Sequence, residues 1–258
     1  MEPLARVPAW PAAGGEGSEW VAQEVPVALV LNGISQAVML ATPADLEDFA
    51  LGFAMAEGWI TGPSELLDVD EHPALDAPTP GLALELRTTA AAAARAVERR
   101  RTLAGRTGCG LCGIESLALL PRPTPRELPR IVLSADTLAI AMQGLTAGQV
   151  LNARCGGLHA AAWCGLDGHV LALREDVGRH NALDKLVGAV LRAGWPMAEG
   201  FVSTTSRASV ELVDKAVTLG AGALATASAP TALAVSTAKE HGLALWAFVR
   251  EGRATRYA

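Results

Sequence analysis

Apolar residues first recur in a regular pattern from Val25, where VPVALVLNGISQAVML reads as two β-rich runs separated by Asn32-Gly33, a strong hairpin signal. In TPADLEDFALGFAMAEG the spacing becomes that of a helix. Leu46, Phe49 and Phe53 share one face, Thr42 is the expected N-cap with Asp45 three residues on, Pro43 suits the first helical position, and Gly58 ends the run. LALELR alternates as a strand does, and AAAARAVERRR is rich in helix formers. From Ile131 helical and strand periods alternate. Ser134 caps a helix through Gly144, and GLHAAAWC and HVLALRE form neighbouring strands across an Asp167-Gly168 turn. The helix RHNALDKLVGAVLRAG, the strand FVSTTS, the helix RASVELVDKAVTLG, the strand GALATAS, the helix PTALAVSTAKEHG and the strand LALWAFVRE complete the series, with RATRYA as a possible last strand. Repeated units of this kind imply a sheet covered on both faces by helices, whose ligands lie at the carboxyl ends of the strands, where STTSRAS emerges.

The fold class expected is α/β, a small N-terminal α+β region followed by a three-layer α/β/α domain. Residues 1–20 are expected to be a disordered tail, because prolines and glycines interrupt them, and residues 21–120 to be the N-terminal region. PRPTPRELPR, with three prolines before its last residues and no apolar period, marks a linker at 121–130, ahead of a C-terminal domain at 131–258.

Composition narrows the chemistry. At 258 residues, 50% hydrophobic and 19% charged, the chain can bury a core. Its apolar stretches are too short to span a bilayer, and the N-terminus lacks the unbroken apolar run of a signal peptide, so a cytoplasmic location and no membrane contact are expected. A net charge of −6 argues against general nucleic-acid affinity. The charge is uneven, however. Between Ala90 and Arg130 eight arginines face three glutamates, leaving −11 on the remainder.

The basic window contains GCGLCG, Gly108 to Gly113, which reads both as G-x-G-x-x-G and as C-x-x-C. A dinucleotide fingerprint needs a strand before it and a long helix after it, and IESLALLP provides barely two turns before Pro121. A structural zinc site needs four ligands, of which Cys109 and Cys112 supply two; Cys155 and His159 could complete it, but at an unusual spacing. A zinc deaminase would need H-x-E, and Ala161 stands in the place of the glutamate. A thioredoxin-like pair would open a helix, whereas three glycines here make a loop. Arginines around such a loop favour the thiolate, the form that accepts sulfur as a persulfide. Cys164 is read as a buried apolar side chain. In REDVGRHNALDK, Glu175, Asp176, Arg179, His180, Asp184 and Lys185 stand where a strand meets a helix, a junction that offers free N–H groups and a positive dipole end to an anion; Arg207 in TSRAS stands at a second one.

Taken together, RTGCGLCGIESL, HAAAW, REDVGRHNALDKLVG, SRASVELVDKA, SAPTALAV and the N-terminal segment TPADLEDFALGFAMAEGWI resemble the formate dehydrogenase accessory sulfurtransferases, the FdhD/NarQ family, from about Val25 onward. The resemblance implies a cytoplasmic sulfurtransferase that takes persulfide sulfur from a cysteine desulfurase and passes it to the molybdenum cofactor, as bis-molybdopterin guanine dinucleotide, for formate dehydrogenase. It also implies a homodimer, a C-terminal domain similar in fold to cytidine deaminases, and no permanently bound metal. By the same resemblance Cys109 bears the sulfur and Cys112 is its partner, while Phe248, Val249, Arg250, Glu251, Gly252 and Arg253 bind the cofactor. A guanine dinucleotide carries pyrophosphate, so the two strand–helix turns that bear Arg179, His180 and Arg207 are candidate phosphate sites. Cys155 departs from the family pattern, where threonine is usual. The alternative is a zinc-stabilised C-x-x-C assembly module that escorts formate dehydrogenase without moving sulfur.

Overall fold

The structure is a computed structural model that describes residues 1–10, 12, 16–74, 79–100, 126–250 and 253–258. The hairpin forms as its sequence directs. Strands β3 (Val25–Leu31) and β4 (Ile34–Ala41) pair antiparallel across Asn32 and Gly33, both at positive φ (47° and 80°), the geometry that an Asn-Gly pair adopts most readily. With β5 (Leu66–Ala74) and β6 (Gly81–Thr88) they make a four-stranded sheet in the order β4-β3-β6-β5, in which β3 and β6 run parallel. Asn32 also clasps β6, accepting a hydrogen bond from the Thr88 N–H at 2.9 Å.

The described residues of the expected disordered tail are instead folded. Strand β1 (Leu4–Ala9) pairs antiparallel with β2 (Gly17–Ala22), with Pro8 opposite Ser18 in register. Proline is tolerated because the ribbon has only two strands, so a missing N–H faces outward rather than into a ladder. The ribbon is anchored by tertiary contacts that a local reading does not see. Leu4 is buried, and the Arg154 guanidinium lies 4.4 Å from the Trp20 ring centre.

Helix α1 (Leu46–Ala56) lies between the four-stranded sheet and the rest of the molecule. Helix α2 (Ala90–Arg100) follows β6 and sends Ala92 and Ala96 into the same core. After α3 (Ala135–Gly148), capped by Ser134 through the Thr137 N–H, and the short α4 (Asn152–Cys155), the C-terminal sheet begins. Its strands are β7 (His159–Gly165), β8 (Val170–Asp176), β9 (Gly200–Thr204), β10 (Ala223–Thr226), β11 (Ala244–Arg250) and β12 (Arg253–Arg256). They stand in the order β12-β11-β10-β9-β7-β8, with β9, β10 and β11 parallel and the outer pairings antiparallel. Alternation along β7 sorts the layers. Ala161 and Trp163 face the side covered by α5 (Arg179–Ala193), α6 (Val210–Leu219) and α7 (Ala232–His241), whereas Ala160, Ala162 and Cys164 face α3. This is the α/β arrangement expected, with helices on both faces.

The expected division into two domains with a linker between them does not separate two cores. Val27, Leu29 and Leu84 of the first sheet belong to one continuous apolar cluster with Phe49, Leu186, Val187 and Val202. Within the linker span, Leu128 is buried in that cluster and Arg126 Nη1 donates to the Thr218 carbonyl at 2.7 Å, so residues 126–130 pack rather than span. The two regions meet where α1 crosses α5 at backbone contact. A Cβ on Gly52 would stand 1.7 Å from the Asp184 carbonyl oxygen, and one on Gly188 2.0 Å from that of Asp48.

Candidate functional site at the carboxyl edge of the six-stranded sheet

The strand directions gather the candidate residues. The parallel strands β9, β10 and β11 end at Thr204, Thr226 and Arg250 on one edge. Because β7 runs antiparallel to β9, and Ala161 pairs with Thr204, the start of β7 at His159 lies at that edge too; Asp176, paired with His159, brings the end of β8 there. Arg179 and His180 open α5 immediately beyond, Arg207 lies exposed in the loop after β9, and Phe248 lies at the end of β11. His159 Nδ1 is 3.4 Å from the Thr205 hydroxyl, which joins β7 to that loop.

Two helices start here without side-chain caps. Gly178 precedes α5 and cannot cap it, and Ser209 precedes α6 without making a cap bond, whereas α3 and α7 are capped by Ser134 and Thr231. Among the described residues, the buried atoms Arg179 Nε, His180 Nε2 and Ser209 Oγ have no hydrogen-bond partner. Free N–H groups and unpaired donors at two helix N-termini suit an anion. Burial, then Lys215 and Arg179, pull the His180 pKa down to about 4, against Glu211; burial and Arg179 also lower that of His159. Both imidazoles are therefore neutral near neutrality.

That depression has a measurable consequence. Between pH 6.5 and about 4 the unfolded chain takes up a proton at this histidine that the folded protein resists, so stability present above pH 6.5 falls as the pH drops through that window. Asp184, buried and pushed up to about 6 despite Lys215 at 2.5 Å, works the other way, since below about 6 the folded state holds its proton more readily. In thermal melts, His180→Asn is expected to lose less melting temperature than the wild type on acidification; an equal loss would show that His180 is not the group responsible.

The acidic and basic residues of EDVGRHNALDK do not all face this edge. Glu175 accepts the N–H groups of Leu151 and Asn152 at 2.9 and 2.8 Å and so anchors α4. Asp176 and Lys185 form an ion pair of 2.7 Å with no exposure on either side chain, and Asp184 pairs with Lys215. Burial demands these pairings, because an isolated charge in the core is costly. Of the six, Arg179 and His180 remain directed to the edge. Thr42, expected to cap α1, is also an internal partner. The cap position belongs to Asp45 at φ 53°, without a side-chain bond, and Thr42 is fully buried against Asp176. Its sequence signal was a cap signal, and nothing local distinguishes the two roles.

At the end of β11 the ladder is irregular between Ala247 and Arg250, and Phe248 sits at φ 53°, unusual for a bulky residue, with its N–H donating to the Ser228 carbonyl at 3.2 Å. The Arg253 guanidinium lies 5.0 Å from the Phe248 ring centre. Val249, by contrast, packs in the core beneath α3 and offers a ligand only its backbone. Arg250 is exposed. Cys109, Cys112, Glu251 and Gly252 lie outside the described residues. Cys164 is buried, its thiol pushed up to about 12 by burial and then by Asp167, as an apolar packing residue requires; Cys155 is half-buried at the end of α4. Among the described residues no three His, Cys, Asp or Glu side chains could hold a metal ion, and no helix is long and apolar enough to cross a membrane. A cavity of about 400 Å³, lined by Met55, Arg126, Leu191, Met197 and Leu219, lies by the far ends of α5 and α6, away from this chemistry.

The FdhD/NarQ family model matches residues 22–258. The chain belongs to the FdhD/NarQ family. It is 52% identical over 235 residues to the sulfur carrier protein FdhD of Variovorax paradoxus, covering 91% of this chain and 83% of that one. It is 51% identical over 238 residues to the sulfur carrier protein FdhD of Cupriavidus necator, covering 92% and 81%. In fold it is similar to a crystal structure assigned as a formate dehydrogenase accessory protein from Desulfotalea psychrophila, with a TM-score of 0.73 at 22% identity over 98% of this chain and 95% of the other. The FdhD/NarQ match starts at residue 22, so it leaves the β1–β2 ribbon almost wholly outside it.

Proposed function

We propose that this FdhD/NarQ protein is a cytoplasmic sulfurtransferase and carrier. It accepts persulfide sulfur from a cysteine desulfurase on Cys109, assisted by Cys112, and delivers it to the molybdenum cofactor in its bis-molybdopterin guanine dinucleotide form, on which formate dehydrogenase depends. The observation that carries the nucleotide half is the convergence of Arg179, His180, Arg207, Phe248 and Arg253 on one sheet edge with two uncapped helix starts. Such an edge fits a pyrophosphate. The helix N–H groups and the arginines supply donors, and charge-assisted bonds of this type are about twice as strong as neutral ones. The stack of Arg253 on Phe248 sets a planar surface beside it for a base. Glu251 and Gly252 complete the stretch, and a homodimer presents two such edges.

The sulfur half rests on the C-x-x-C in its arginine-rich surroundings and on the relatives' description as sulfur carriers. A basic flank stabilises the thiolate that attacks the outer sulfur of a donor persulfide, breaking the donor's S–S bond and releasing its cysteine thiolate. Intact-mass measurement after incubation with a cysteine desulfurase and cysteine tests it. The expected result is a gain of about 32 Da that thiol reductants reverse, as a persulfide cap requires. No gain, or stoichiometric zinc lost on replacing Cys109 or Cys112, would favour the escort module instead.

A further inference from the structure

We propose that Thr42 is a positioning residue for the ligand-facing turn at the start of α5, so that the N-terminal region sets the affinity of the C-terminal edge for an anionic nucleotide. The proposal rests on the reading of that edge as a phosphate-binding surface. Thr42 comes from the turn between β4 and α1, is fully buried, and engages three groups around the start of α5. Its N–H donates to Asp176 Oδ2 at 2.9 Å, its Oγ1 accepts from the Val177 N–H at 3.1 Å, and its carbonyl accepts from Lys185 Nζ at 2.9 Å. Asp176 closes the cluster, accepting from the Gly178 N–H at 2.8 Å and from Asn181 Nδ2 at 3.1 Å, besides Lys185. Asn181 Nδ2 also donates to the Leu40 carbonyl at 2.8 Å, a second strut to the same strand end.

The bonds divide the turn by function. Asp176, Val177, Gly178 and Asn181 are tied inward, and between them Arg179 and His180 carry the buried nitrogens that have no protein partner. Thr42 therefore touches the groups that aim Arg179 rather than the ligand. Without its hydroxyl, the Val177 N–H loses its protein acceptor, and the turn shifts toward conformations that present Arg179 less well. Apparent affinity falls by the fraction of molecules that remain competent. A lost buried hydrogen bond shifts such an equilibrium by about five- to tenfold, and affinity falls by up to that factor.

The test uses the full chain and guanosine diphosphate as probe, with affinity measured by calorimetry in the cold, far below the unfolding transition. Thr42→Val is expected to bind measurably more weakly, by up to about tenfold. Thr42→Ser, which keeps the oxygen, should bind as the wild type does. Asn181→Ala, which cuts the strut to Leu40, should weaken binding in the same direction. A role confined to stability would lower the melting temperatures of Thr42→Val and Asn181→Ala and leave their cold affinities at the wild-type value; that result overturns the proposal, as does a loss in Thr42→Val that Thr42→Ser shares. If circular dichroism shows Thr42→Val unfolded, Asn181→Ala decides by the same criterion. A wild-type protein that binds no guanosine diphosphate overturns the nucleotide reading itself, and this inference with it.

Discussion

Gly188→Ala is expected to be strongly destabilised. The added Cβ would stand 2.0 Å from the Asp48 carbonyl oxygen, 2.6 Å from its carbonyl carbon and 2.7 Å from its Cα, all backbone atoms of α1 that no rotamer change can move. Gly52 meets Asp184 and the Gly188 N–H in the same way from the other helix, so α1 and α5 have only the choice of separating. Separation by about 1 Å would cost more than the usual overpacking penalty of about 1–3 kcal/mol, because it also opens the packing along the whole contact. Phe49 and Phe53 of α1 and Leu183, Leu186 and Val187 of α5 belong to the core that this contact holds closed. A loss of about 4 kcal/mol or more is expected, against a total stability of about 5–15 kcal/mol for an ordinary domain. Gly62→Ala is the control, since a Cβ there meets nothing within 4 Å at an extended φ of −167°, and it should stay within about 0.5 kcal/mol of the wild type. Denaturant midpoints on both variants decide the point. A Gly188→Ala protein as stable as the control would mean that the two helices do not cross so closely.

Cys109→Ser is the second large effect, expected on activity rather than stability. A serine hydroxyl cannot form a persulfide, so the variant should gain no sulfur from the desulfurase, and cells that rely on it should contain inactive formate dehydrogenase. Under the proposed mechanism, in which the sulfur rests on Cys109 and Cys112 assists its release, Cys112→Ser should still load and should fail at the later step. Guanosine diphosphate affinity is expected to survive in Cys109→Ser, since no residue of the carboxyl edge changes. Activation of formate dehydrogenase by Cys109→Ser at the wild-type level would end the persulfide mechanism.

Much of the fold is written in local patterns. Asn32-Gly33 states a hairpin because few other dipeptides accept positive φ at both positions, and Ser134 states a helix start through its own Thr137 N–H. The alternation along HAAAWC separates the two faces of the six-stranded sheet, and the strand order then carries Arg179, His180, Arg207 and Phe248 to one edge. The family, too, is legible from EDVGRHNALDK and the C-x-x-C upstream of it. What sequence alone cannot supply is the identity of a partner more than a hundred residues away. Thr42 looks like a cap because its neighbours are those of a helix start, and only the folded chain sets it against Asp176 and Val177. Glu175, Asp176, Asp184 and Lys185 look like charges at an exposed strand–helix junction until burial gives them internal partners. The N-terminal ribbon looks disordered until Leu4 is buried and Trp20 meets Arg154. Local pattern determines which element forms and which face is apolar, because both follow from spacing of a few residues. Tertiary packing decides which polar side chains face a ligand and which are used up inside, because the cost of burying a charge depends on neighbours that spacing does not reveal.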